Sequence, residues 1–314
     1  MTYRTNFGQR TNLDILARSR ESVITVQAPA KINLYLHVIG QRPNGYHDLD
    51  SVIVFTTIHD VITVSPHDTL TVQLSGPFGN HIAGLSNNNL AIRAARLLAE
   101  LVGIPAKAKI TLNKILPVSA GLGGGSADAA AVLRALCRLW LIFPNEKELA
   151  ALALTLGADV PVCLKGCAAH VSGIGEVIKP LKLGTAPAGV VLVNPGVPLS
   201  TKSVFQAHRG PYSSPRPFNS FPSNFHDLAR SLAQRSNDLT DAARALCPEI
   251  DEVLNALNRT AGCQLARLTG SGPSCFGLFD GIKDAKTAAT QISALKTDWW
   301  VKHASLVGQT TTLA

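Results

Sequence analysis

Pro117-Val118-Ser119-Ala120-Gly121-Leu122-Gly123-Gly124-Gly125-Ser126-Ala127-Asp128-Ala129-Ala130 is the stretch that decides the fold of this chain. Its glycines crowd between Gly121 and Gly125 and stop abruptly where a helical pattern begins. Ala129, Val132, Leu133, Leu136 and Trp140 recur at helical spacing, so one apolar face runs on into a helix. Glycine has no Cβ, permits positive φ and lets backbone N–H groups converge. The first turn of a helix adds unpaired donors and a partial positive charge. A glycine-rich turn that feeds a helix is therefore an anion site, and the usual anion is phosphate. The plainer alternative is a tight connection without a ligand; the glycine density and Ser126 at the helix start weigh against it.

This is not the nucleoside-triphosphate P-loop, because no Lys follows Gly125. Nor is it a dinucleotide fingerprint: Gly121, Gly123 and Gly124 do not fit Gly-x-Gly-x-x-Gly, and Pro117 stands where the preceding strand would run. With 314 residues the chain has room for a large core and two domains. A 46% hydrophobic and 16% charged composition suits a globular enzyme, and no apolar run reaches membrane-span length. The first twenty residues lack the apolar core of a secretory signal, which points to a cytoplasmic protein. The six cysteines form no zinc-ligand spacing and read as buried, reduced thiols. The net charge is +8, but the Lys and Arg are scattered, without a basic tract or aromatic stripe. That distribution favours phosphorylated small substrates over nucleic acid or a membrane surface. Residues 1–21, with Arg4, Arg10, Arg18 and Arg20, lack apolar periodicity and read as a mobile extension.

Outward from the glycine run, strands are expected at Ser22–Ala28, Ile32–Val38, Asp50–Val64, Thr69–Leu74 and Lys107–Asn113. Asn88 or Asn89 is placed to cap a helix that reaches Val102, and Glu146–Leu156 is a helix ended by Gly157. Val160–Leu164, Ala168–Val171 and Val190–Asn194 read as strands, and residues 207–224 as a long loop. Beyond it come helix Asp251–Leu257, strand Gln264–Thr269, the turn Gly270-Ser271-Gly272-Pro273, strand Cys275–Phe279, helix Asp284–Leu295 and strand Trp299–Ala304. Hairpins first and helices interspersed make an α+β protein, with its natural boundary near Pro180–Pro187. The two glycine-rich turns then belong to different halves, and a ligand cleft is expected between them.

Three further segments carry candidate chemistry. In Pro29-Ala30-Lys31-Ile32-Asn33-Leu34, Lys31 is either an edge-strand lysine in water or a charge-stabilising cation. In Leu156-Gly157-Ala158-Asp159-Val160-Pro161, Asp159 is either a turn residue that satisfies backbone donors or a proton acceptor beside Lys31. In Gly40-Gln41-Arg42-Pro43-Asn44-Gly45-Tyr46-His47, Tyr46 and His47 follow a turn and offer an aromatic face and a ring nitrogen to a flat ligand. Ser126 is a ligand for Mg²⁺ or a helix cap, and both roles use the same oxygen.

Pro29–Leu34, the Gly121–Ser126 loop and Leu268-Thr269-Gly270-Ser271-Gly272 resemble, in this order, the three motifs of the GHMP small-molecule kinases. The Gly40–His47 and Leu156–Pro161 segments are similar to the branch of that family that acts on 4-diphosphocytidyl-2-C-methyl-D-erythritol. Gly45-Tyr46-His47 is the discriminating element, because only that branch must recognise cytidine. The resemblance implies a two-domain α+β fold whose N-terminal half is similar to ribosomal protein S5 domain 2. Residues 22–183 and 184–314 would be the two domains, with the active site in the cleft between them.

It implies ATP-dependent phosphorylation of the substrate C2 hydroxyl, in the non-mevalonate isoprenoid route of bacteria. ATP would bind at Asn89, Lys114, Pro117, Gly121, Leu122, Gly123, Gly124, Gly125, Ser126 and Ala127, with Mg²⁺ held largely by its phosphates and Ser126 as a metal ligand. Asp159 would be the base and Lys31 the orienting cation, while Asn33 would place the erythritol end. His47 would read the cytosine edge, with Tyr46 and Phe205 stacked on the ring. Asn44 stands where the family commonly has Asp, and both suit the turn. The alternative is another kinase of this family, of homoserine or mevalonate type.

Overall fold

The computed structural model describes residues 23–81, 89–183, 188–218 and 220–310. The expected extension at 1–21, Asn88 and part of the expected boundary at Pro180–Pro187 lie outside the described residues. Among those described, ten strands form one continuous sheet flanked by helices.

The fold is built on a long hairpin, β1 (Ile24–Gln41) and β2 (His47–Ser65). The two strand signals expected at Ser22–Ala28 and Ile32–Val38 are thus one strand. Pro29, which has no N–H to give, is accommodated at a register shift between Pro29 and Lys31. On its other edge β2 pairs in turn with β5 (Ala169–Gly173), β10 (Trp300–Val307) and β4 (Ala108–Asn113). β4 carries the parallel strand β3 (Leu70–Ser75), and β5 carries β6 (Val177–Pro180). β10 also pairs with β7 (Gly189–Asn194), followed by β9 (Cys275–Phe279) and β8 (Leu265–Leu268). β10 therefore joins the sheet of the first half to that of the second.

Over the first part of the sheet lie α1 (Leu90–Val102), α2 (Gly124–Leu139), α3 (Glu146–Leu156) and α4 (Val160–Lys165). Asn89 caps α1 by accepting from Ala91 N, and Asn145 closes a capping box on α3. Leu98, Leu133 and Leu136 from these helices close a core on Phe55, Ile62, Ile110 and Leu112. Over the second part lie α5 (Thr201–Ala207), α6 (Phe225–Ala233), α7 (Thr240–Leu246), α8 (Glu249–Arg259) and α9 (Ile282–Leu295). A third cluster fuses the halves: Ile32 and Leu34 of β1 pack with Leu116, Leu122, Leu192 and Phe276.

One expectation is corrected. Val160–Leu164 is not a strand but part of helix α4. A short apolar run does not declare its period, whereas Pro161 in the first turn suits a helix start. Helices α5, α6 and α7 and strand β6 were not expected. α6 carries Phe225, Leu228, Ala229 and Leu232 at helical spacing, directly after the irregular segment that masked it. Of the expected loop 207–224, residues 208–218 and 220–224 are irregular, and the segment is pinned by Ser213 N to Val38 O at 2.9 Å and by Arg216 N to Asp50 Oδ2 at 2.5 Å.

Arg267 joins the halves from within. Its buried guanidinium donates to Leu34 O, Leu232 O and Arg235 O at 2.7, 2.8 and 2.5 Å. Burial, together with nearby Arg235, lowers its pKa to about 10, so it stays charged at neutral pH. Arg267→Met would strand three carbonyls, and urea unfolding should show a loss of roughly 3–5 kcal/mol.

Candidate active site

Three segments distant in sequence meet at one point. The strand segment of β1 touches the glycine loop through Lys31 N, which donates to Leu122 O at 2.9 Å. It touches the second glycine-rich turn through Asn33 N, which donates to Thr269 Oγ1 at 2.9 Å. The two turns touch each other at Gly121 and Gly270, with φ of 71° and 56°. A Cβ on Gly121 would stand 2.5 Å from Thr269 O, and one on Gly270 would stand 2.9 Å from Gly121 O. Positive φ and backbone-to-backbone contact both require glycine here.

The glycine loop ends as an open helix terminus. Gly123, at φ 64°, is the N-cap of α2, and no side chain caps the helix. Ser126 is therefore not the cap that the sequence left open; it lies within the first turn, partly exposed. A Cβ on Gly123 would stand 3.1–3.3 Å from the Lys31 side chain, and one on Gly124 would stand 3.0 Å from Lys114 Nζ. The cradle is thus bare backbone, with first-turn N–H groups available to an anion, and these features fit a triphosphate. Asn89, the cap of α1, lies beside it: Leu90 is 3.4 Å from where a Cβ on Gly125 would stand. Pro117 and Ala127 are buried in the frame of the loop.

Beneath the loop Lys114 is buried between two carboxylates, with Nζ 2.5 Å from Asp60 Oδ2 and 2.7 Å from Asp128 Oδ2. Asp60 Oδ1 accepts the N–H groups of Ile115 and Leu116 at 2.5 and 2.8 Å, which fixes the chain entering the loop. Burial works to lower the Lys114 pKa, but Asp128 and Asp60 outweigh it and hold the ammonium charged. Burial raises the pKa of Asp128 against the pull of Lys114, and its Oδ1 has no hydrogen-bond partner. Among the described residues no cluster of three or more His, Cys, Asp or Glu offers a protein cage for a metal. A divalent ion carried in with a triphosphate would find the Ser126 hydroxyl as a protein oxygen in the first turn of α2.

Lys31 is no edge lysine in water. It is 3% exposed, and its Nζ donates to Asn33 Oδ1 at 2.9 Å and to Asp159 Oδ2 at 3.1 Å. Asn33 in turn donates to Ser51 Oγ at 2.8 Å, and Ser51 Oγ donates to Tyr35 O at 2.6 Å, so the ammonium is held by a chain of fixed dipoles. Asp159 stands at the N-cap of α4 but makes no side-chain cap bond; only its backbone oxygen accepts, from Cys163 N. Its carboxylate is 44% exposed and so meets Lys31 on one side and open space on the other. Burial and the nearby Asp159 charge push the Cys163 thiol up to about 12, which leaves it neutral and inert.

A second group of predicted residues sits at the tip of the β1–β2 hairpin. The turn is closed by Arg42 N to Tyr46 O at 2.7 Å and Gly45 N to Arg42 O at 2.9 Å. The His47 ring stacks on Phe205 with centroids 5.1 Å apart and planes 28° apart, and His208 meets it edge-on at 6.4 Å. Desolvation, reinforced by His208, lowers the His47 pKa, so its imidazole is neutral at pH 7. Tyr46 stands 56% exposed. The structure thus pairs His47 with Phe205 and leaves Tyr46 open beside them. The sequence did not single out Asp60, Asp128, Thr269 or His208. Asp60 and Asp128 did leave a signal, each being a charge inside an otherwise apolar pattern.

Comparison with known proteins gives one consistent result. Residues 89–167 match the GHMP kinases N terminal domain, and residues 220–299 match the GHMP kinases C terminal family. The 4-diphosphocytidyl-2-C-methyl-D-erythritol kinase of Paramagnetospirillum magneticum is 47% identical over 283 residues, which span 90% of this chain and 98% of that protein. A crystal structure of 4-(cytidine 5'-diphospho)-2C-methyl-D-erythritol kinase, 36% identical, superposes with a TM-score of 0.75 and covers 91% of this chain and 100% of that one. Homoserine kinase from Cytophaga hutchinsonii, 18% identical, has a TM-score of 0.66 over 98% of this chain and 99% of its own, and it shares the fold. The α+β architecture read from the sequence is therefore that of the GHMP kinases, and the chain belongs to the 4-diphosphocytidyl-2-C-methyl-D-erythritol kinase family within them.

Proposed function

We propose that this chain transfers the γ-phosphoryl group of ATP to the C2 hydroxyl of 4-diphosphocytidyl-2-C-methyl-D-erythritol, releasing ADP and the 2-phosphate. The observation that carries this is the Lys31–Asp159 pair: a buried cation and a half-open carboxylate 3.1 Å apart beside a bare glycine loop. The names borne by relatives spanning some nine-tenths of the chain support the substrate. The His47–Phe205 stack favours a cytidine substrate over homoserine or mevalonate, neither of which has a ring to stack.

In this mechanism the backbone N–H groups at Gly123–Ser126 hold the phosphates, and Lys114, buried under the loop, sets its geometry. Mg²⁺, when bound with ATP, neutralises phosphate charge. Asp159 accepts the hydroxyl proton as the new O–P bond forms, and Lys31 steadies both Asp159 and the charge on the transferring group. Asn33 holds Lys31 and faces the erythritol end. Neutral His47 offers one ring N–H and one lone pair, which suits the mixed donor and acceptor edge of cytosine. Tyr46 closes on the base from the exposed side. Residues 22–183 and 184–314 serve as the two halves flanking the cleft. Among the described residues no helix is long and apolar enough to cross a membrane, which is compatible with a cytoplasmic enzyme working on small molecules.

Wild-type protein with Mg²⁺-ATP and the cytidine substrate should release ADP. Asp159→Ala should lower kcat by about 10²- to 10⁴-fold while fluorescent-ATP binding persists. Turnover of homoserine or mevalonate, but not of the cytidine substrate, would overturn the proposal. Because His47 is held neutral, its contribution is complete above its lowered pKa and is lost as acid protonates the ring. KM for the cytidine substrate should therefore be flat at neutral and alkaline pH and rise only on the acid side of the ordinary imidazole range, as the pH falls through the lowered His47 pKa. His47→Gln should abolish that rise, while KM for ATP keeps its own pH profile.

A further inference from the structure

The hairpin tip that carries Tyr46 and His47 overhangs the sheet. Pairing between β2 and β5 runs only from Ile53–Ala169 to Leu49–Gly173, so the residues from Asp48 back to Arg42 extend beyond the end of β5. Past that end, contact is taken over by side chains. Arg42 Nε donates to Asp48 Oδ1 at 2.9 Å within the hairpin, and Arg42 Nη2 donates to Glu176 Oε1 at 3.1 Å across to the β5–β6 turn. The other oxygen of Glu176 is fixed by Ile174 N at 2.5 Å, so the carboxylate is a rigid part of its turn. That turn rests on the residue before Asp159: Gly175, at φ 120°, lies so close that a Cβ on it would stand 3.1 Å from Ala158 O. One guanidinium fork thus connects the turn bearing Tyr46 and His47 to the segment bearing Asp159.

We propose that the Arg42–Glu176 ion pair is a positioning device that sets the spacing between the base-reading turn and Asp159, and so selects an acceptor hydroxyl lying one nucleoside-diphosphate bridge away from the base. The inference rests on the function proposed above, with cytosine at His47 and the hydroxyl at Asp159. A substrate that must satisfy both points at once is sensitive to their separation, whereas a ligand that touches one of them is not. The side chains of Arg42, Asp48 and Glu176 are 35, 34 and 28% exposed, so breaking the pair costs little global stability and leaves a folded enzyme to measure.

The test compares wild type with Arg42→Gln, Glu176→Gln and the double variant. Steady-state kinetics, calorimetric binding of CDP and thermal unfolding are measured for each. In each single variant kcat/KM for 4-diphosphocytidyl-2-C-methyl-D-erythritol should fall about tenfold. KM for ATP and the Kd for CDP should hold, because each reports one end of the site, and Tm should stay close to wild type. The double variant should be no worse than either single one, since both remove the same link. Wild-type kcat/KM in folded single variants, additive losses, or a matching loss in CDP or ATP affinity would overturn the positioning role. A folded wild type that binds ATP but does not turn over the cytidine substrate would instead overturn the functional proposal, and the positioning role with it.

Discussion

A lysine ammonium withdrawn from water must be paired, and the centre of this protein is arranged around that requirement at Lys31. The residue sits mid-strand in a run, Ala28 to Val38, that is buried from end to end. Its partners come from its own strand, Asn33, and from the start of α4, Asp159. The glycine loop lies against its stem so closely that a Cβ on Gly123 would crowd it. Strand, loop and helix start are thus positioned by one charge, and the face that stays open is the Asp159 carboxylate. The same economy recurs under the loop, where Lys114 is shared by Asp60 and Asp128. One ammonium between two carboxylates leaves a surplus negative charge, relieved by the raised pKa of Asp128 and by the N–H groups given to Asp60.

Much of this was legible in the sequence because glycine and proline act locally. The Gly121–Gly125 run, the turn at Gly270–Gly272 and the β1–β2 turn at Pro43–Gly45 all bend the chain where expected. Asn89 caps its helix at one of the two expected positions, and Glu146–Leu156 is a helix with the expected bounds. What local pattern does not carry is partnership. The spacing of Lys31 and Asp159, 128 positions apart, says nothing of a 3.1 Å contact, and read alone each residue has a bland role that the structure rejects. Phe205 is the clearest case. The family resemblance implies it without any local pattern of its own, and only the placement of α5 beside the hairpin stacks it on His47.

The misreadings have physical causes as well. Val160–Leu164 is apolar because α4 is a buried helix of barely two turns, too short to display a helical period. β6 carries no alternating pattern, because a four-residue edge strand that is mostly exposed needs none. Both errors bear on the site, since α4 presents Asp159 and the β5–β6 turn leans on Ala158. A strand in place of α4 would leave Asp159 without the open cap position that frees its carboxylate.

The order in which the chain is made gives β10 a distinct significance. The edge of β2 is taken up by β5 over Leu49–Ile53 and by β4 over Val61–Ser65, and between them it waits for β10 at Phe55 and Thr56. Ser305 N then donates to Thr57 Oγ1 across 248 positions of chain. Until the ribosome has delivered β10, that stretch of β2 is an unpaired strand edge, the kind of surface that recruits foreign strands. The strand that completes the edge is also the strand that unites the two sheets. Burying a vulnerable edge and setting the relation between the halves are therefore one late event, placed at the slow, long-range end of folding.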